Sequence, residues 1–148
     1  MGGSVRAHSD GTIRFEAAVP QFSVPDVVEA AQYYRDAFGF QIVGYWDGER
    51  ASFSTDPPPV FGIVKRDGVQ VFFSRGAPSD TRRGRTAGSY DVYIHVAGVD
   101  ALAAEFRDRG VEILDGPEDR SYHQRELVVR DCNGAILAFG EDTGAHAT

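Results

Sequence analysis

The chain repeats itself once, and that repeat constrains its fold more than any other feature. Val24-Pro25-Asp26-Val27 opens a segment that continues to Tyr33-Tyr34, Phe38-Gly39-Phe40 and Ile42. Val96-Ala97-Gly98-Val99, 72 residues later, opens a second one that continues through Leu102, Phe106, Gly110-Val111 and Ile113. In each copy a short strand leads into a helix of about three turns, apolar at i, i+3/i+4 and i+7. The helix faces are Val27, Ala30/Ala31, Tyr34, Phe38 and Val99, Leu102/Ala103, Phe106. Gly39 and Gly110 supply the left-handed stop. A strand follows each stop, at Gln41–Trp46 and at Val111–Leu114. Each copy then closes with a hairpin: Val60–Lys65 with Val69–Ser74 around Asp67-Gly68, and Glu126–Arg130 with Ala135–Gly140 around Asn133-Gly134. Asp-Gly and Asn-Gly favour the positive φ of tight turns. Each copy is therefore β-α-β-β-β.

The expected organisation is an N-terminal tail (1–16, with a short strand near Ile13–Phe15), one domain over 17–141 and a C-terminal tail (142–148). The modules are 17–75 and 90–141, joined by a polar linker, 76–89. His8 and His146 fall in the tails. Asp56-Pro57-Pro58-Pro59 interrupts the chain before the first hairpin.

Composition excludes several classes. With 148 residues the chain is long enough to bury a core without staples. A formal charge of −7 argues against nucleic acid, and the Arg82, Arg83, Arg85 cluster reads as a solvated loop. No apolar run is long enough to cross a membrane as a helix. The single cysteine, Cys132, permits no internal disulfide and reads as a turn residue. With no basic-then-apolar leader pattern, the expected setting is the cytoplasm.

The residues Val24-Pro25-Asp26-Val27, Tyr33 through Phe40, Arg125-Glu126 and Asp131 through Phe139 resemble the vicinal oxygen chelate superfamily, which includes glyoxalase I, extradiol dioxygenases and bleomycin-resistance proteins. Tyr90 through Val96 looks most like the bleomycin-resistance branch. Cys132 departs from it, standing where that branch usually has proline. The resemblance implies an α+β fold in which two βαβββ modules form a curled mixed sheet around a cleft. It also implies a homodimer with clefts completed by both chains.

Strand alternation then assigns faces. Val92, Ile94, Val96, Val71, Phe73, Leu137 and Phe139 pack on helices. Val19, Gln21, Ser23, Gln70, Phe72, Asp91, Tyr93, His95, Ile136 and Ala138 face the cleft. Metal-dependent members place ligands at positions that carry over to Val19, Phe72, Asp91 and Ala138, and only Asp91 has a donor atom. No metal and no cofactor are expected. If the strand register were different, Gln21, Asp91, His95 and His123 would be the candidate ligands.

The expected function is a metal-free binding protein that sequesters a drug or natural product in an aromatic cleft. Its expected ligand residues are Gln21, Trp46, Phe53, Phe61, Gln70, Phe72, Asp91, Tyr93, Tyr122 and His123. Asp91 and Glu126 would meet any cationic portion of the ligand. The alternative is a metal-independent isomerase, cyclase or lyase using Asp91, His123 and Glu126 as acid and base. A metal-dependent glyoxalase or dioxygenase ranks third. Glu126 has two further readings: paired with an arginine, or with His123.

Overall fold

The computed structural model describes residues 11–77 and 89–144. Expectations for His8, His146, the Arg82–Arg85 cluster and most of the linker lie outside these residues.

Helix α1 spans Val27–Phe38. Asp26 caps its start, its carboxylate accepting from the Glu29 amide at 3.0 Å. Gly39 ends it with φ 74°, and an added Cβ there would stand 2.7 Å from the Arg66 guanidinium. Val27, Ala30, Ala31, Tyr34 and Phe38 form the buried stripe. Helix α2, Val99–Asp108, has glycine at its N-cap and no side-chain cap of its own. The Glu141 carboxylate supplies one from a distant strand, accepting from the Gly98 and Val99 amides at 2.9 and 3.0 Å. Gly110, with φ 76°, follows its end.

The first module holds β1 (Gln21–Val24), β2 (Gln41–Trp46), a two-residue β3 (Ala51–Ser52), β4 (Phe61–Arg66) and β5 (Val69–Arg75). The second holds β6 (Val92–His95), β7 (Glu112–Asp119), β8 (Gln124–Arg130) and β9 (Ile136–Asp142). They form two sheets, ordered β1-β5-β4-β2-β3 and β6-β9-β8-β7. Apart from β3, the orders are the same, so the repeat in sequence is a repeat in topology. Both sheets are mixed: β1 runs parallel to β5 and β6 parallel to β9, while the other pairs are antiparallel.

One core cluster spans both modules. Phe38 meets Phe106 with ring centroids 5.3 Å apart. The Tyr34 hydroxyl donates to the Asp131 carboxylate at 2.7 Å, tying α1 to the β8–β9 turn. Arg66 binds Glu105 through both terminal guanidinium nitrogens, at 2.7 and 3.0 Å, and also donates to the Phe38 carbonyl.

Two expectations are corrected. Ile13–Phe15 is not a strand: residues 11–20 carry no regular structure, and Ile13 and Phe15 are exposed, because no neighbouring strand pairs with them. The strand expected at Val111–Leu114 runs on to Asp119. Its later half passes Gly116-Pro117 with two register shifts against β8, so side-chain alternation is lost although pairing continues.

Candidate functional site

Each sheet packs one face on the helices; the other face is partly open in the first sheet and covered by its own side chains along β8 and β9 in the second. On β5, Val71 and Phe73 are buried while Gln70 and Phe72 are only partly covered, as alternation requires. Gln21 stands opposite Phe72, Ile63 beside it on β4, and Trp46 opposite Phe61. Phe61 and Phe72 meet edge to face at 5.3 Å. On the opposite face Gly62 lets α1 pack closely on β4, because an added Cβ would lie 2.7 Å from Val27. Trp46 stays 40% exposed, an aromatic surface available to a partner molecule. Phe53 lies elsewhere. With Gln32, Arg35, Phe40 and Thr55 it lines a groove of about 690 Å³ that Phe61 and Phe72 do not border.

The face of the second sheet away from the helices is polar-aromatic and is organised around Glu126. This side chain has no solvent exposure. Its Oε2 accepts from Tyr93 at 2.8 Å. Its Oε1 accepts from Tyr122 at 2.6 Å, Arg120 Nε at 3.1 Å and Tyr90 at 3.4 Å. Arg120 also binds Asp115 and Glu118, so three carboxylates share one guanidinium. Glycine at 140, the register partner of Glu126, makes the arrangement possible: a Cβ there would collide with the Tyr93 hydroxyl. Tyr93 also contacts Tyr90 and His95, with centroids 6.2 and 5.2 Å away.

The electrostatics follow from these contacts. Burial alone would raise the Glu126 carboxyl, but hydrogen bonds from Tyr122, Tyr93 and Arg120 outweigh it and hold the group below the usual carboxylate range. Tyr122 is pushed up to about 12, first by its bond to Glu126 and then by burial. Tyr93 is raised by burial and then by Glu126. Glu126 is therefore an ionised acceptor, and it is already supplied with donors.

The expected acid/base set is not assembled around one point. The partners of Glu126 are three tyrosines and Arg120, neither His123 nor Asp91. Asp91 Oδ2 accepts from the Ile136 amide at 2.8 Å, while its own amide donates to the Ile136 carbonyl. His123 lies exposed in the β7–β8 turn at φ 65°. The expectation that Glu126 pairs with an arginine is met by Arg120. Tyr90 and Arg120 went unread in the sequence. Tyr90 precedes β6, where alternation assigns no face. Arg120 reaches the site only because its turn folds back, its amide bonding the Gln124 carbonyl at 2.8 Å.

A catalytic metal does not fit the residues present. Among the positions aligned for it, Phe72 and Ala138 pair with Gln21 and Tyr93 and bring no donor atoms, Val19 has none, and Asp91 is bonded to backbone. Among the described residues, no group of three His, Cys, Asp or Glu side chains could hold a metal ion. The Cys132 thiol is pushed up to about 11, by desolvation and then by the Asp131 carboxylate, which disfavours the thiolate.

The model of the glyoxalase/bleomycin resistance protein/dioxygenase superfamily matches residues 17–139. The chain belongs to this superfamily. Solved structures agree on the fold. TioX from Micromonospora sp. ML1 superposes with TM-score 0.64 at 17% identity, covering 86% of this chain and 99% of that one. The bleomycin-binding protein from bleomycin-producing Streptomyces verticillus, complexed with copper(II)-bleomycin, gives 0.62 at 23% identity over 86% and 97%. TnmS3, an antibiotic binding protein from Streptomyces sp. CB03234, gives 0.58 at 20% identity over 88% and 99%. No curated protein matches at the sequence level. No helix among the described residues is long and apolar enough to cross a membrane.

Proposed function

We propose that this superfamily member is a metal-free binding protein that sequesters an aromatic small molecule of the drug or natural-product kind. One observation carries the reading. Phe72, packed edge to face on Phe61, stands at a position where a metal-dependent relative would need a donor atom, and Tyr90 and Tyr93 lie side by side on the second sheet. Flat rings bury large apolar area at low conformational cost. The fold likeness to a bleomycin-binding protein and an antibiotic binding protein is consistent with it.

Two copies of the chain would enclose the ligand. The aromatic face of the first sheet and the Glu126 face of the second belong to separate sheets, so each calls for an opposing wall. A homodimer that sets one copy's Phe61–Phe72 face against the other's Tyr93–Glu126 face supplies it. Any cationic portion of the ligand would meet Asp115 and Glu118, the exposed carboxylates beside Arg120, since Glu126 is buried.

The test is titration of the protein with copper-free bleomycin and with proflavine, a flat aromatic cation. Trp46 fluorescence is read out, and the ligand is recovered for mass spectrometry. Saturable quenching with unchanged ligand, weakened by Phe72→Ala, is the expected result. Ligand recovered chemically altered, or no saturable quenching with either probe, would overturn the proposal.

A further inference from the structure

The seam between the modules contains a cavity of about 650 Å³, apart from the sheet faces turned away from the helices. It lies where the β4–β5 turn faces the loop from β6 into α2. Its walls are mostly apolar and come from both modules, Phe40 and Val69 from the first and Ile94 and Leu102 from the second, with Arg66, Asp67, His95 and Glu105 as its polar lining. It stays unfilled for a simple steric reason. The residues brought to its mouth are Gly68, Ala97, Gly98 and Ala101, which have little or no side chain. At Gly68 and Gly98 an added Cβ would meet nothing within 4 Å.

We propose that this cavity is a second binding site, for a neutral, compact and mostly apolar small molecule. Its volume lies within the ~300–1,000 Å³ range of small-molecule pockets. Charge decides the ligand class. Arg66 and Glu105, which border the cavity, are bound to each other through two hydrogen bonds and offer no unpaired charge. The remaining carboxylate on the lining, Asp67, sits on the exposed turn and disfavours anions. A charged ligand would have to break the Arg66–Glu105 pair and lose its own hydration in an apolar space. A neutral ligand does neither, and it gains contact with the partly exposed apolar side chains of Val69, Val96 and Leu102.

The probe is N-phenyl-1-naphthylamine, a neutral fluorophore that brightens in apolar surroundings. The wild-type protein should bind it saturably, with the seam accounting for one site per chain. Ala101→Trp replaces an exposed helix residue and projects an indole into the mouth, so the fold is retained and the dissociation constant should rise about tenfold or more. Leu102→Phe fills the cavity from its wall and should act in the same direction. Phe72→Ala weakens any binding at the open face of the first sheet and should leave one seam site per chain with unchanged affinity. Binding untouched by both filling variants, binding lost with Phe72→Ala, or no saturable binding would each overturn the inference. None of these outcomes bears on the Trp46 titration that tests the proposed function.

Discussion

Glu126 is ionised without touching solvent, and the hydrogen bonds around it make the charge tolerable. Such an arrangement has a definite pH signature. Its carboxyl is lowered in the fold, so the stabilisation it brings is complete above the ordinary carboxylate range near ~4.3. It is lost as pH falls through the lowered native value. Tyr122 has the opposite sign: raised to about 12, it stabilises below the free-phenol range and loses that contribution as pH rises through its native value. Absorbance titration of phenolate in the wild type should therefore show tyrosines ionising above free tyrosine. Glu126→Gln, which removes the charge and keeps the shape, should bring the Tyr122 step back toward ~10. An unchanged titration curve would refute the network. Cys132 gives a second check. It is exposed, yet its thiol is pushed up to about 11, so iodoacetamide at neutral pH should modify it far more slowly than free cysteine.

At the scale of elements, the β8–β9 turn does more than reverse the chain. Asp131 accepts from the Asn133 and Ala135 amides at 2.8 and 2.9 Å and from Tyr34 in the other module. Tyr34→Phe deletes one hydrogen bond to a charged group and should lower the unfolding free energy by about 1.5–3 kcal/mol in urea melts. Asp131→Ala should cost more, because it also strands the buried Ala135 amide and the Tyr34 hydroxyl. A second element-scale prediction concerns β9. Gly140→Ala forces Tyr93 off Glu126. Its phenolate titration should then shift downward even if the protein remains folded. The turn at Asp131 was legible in the sequence because Asn-Gly marks it. Its tie to α1 was not, because the partners are 97 positions apart and share no local pattern.

For the whole molecule, the proposed dimer predicts that sedimentation velocity finds two chains associated, with ligand binding and association weakening together on dilution. What the sequence determined by itself is the repeat, and with it both helices, the succession of elements along each module and the inward and outward faces of β5 and β6. Those features rest on periodicity and on glycine stops, which are local. The absence of donor atoms at the metal positions was also legible, since residue identity alone decides it. Only the tertiary structure decided what Glu126 does. Tyr90, Tyr93, Arg120 and Tyr122 converge on it from a pre-strand segment, a strand and a turn, and convergence has no period to read. The inter-module cavity belongs to the same class. It exists because two packed modules bring their smallest residues to one seam, and no stretch of either module carries that information alone.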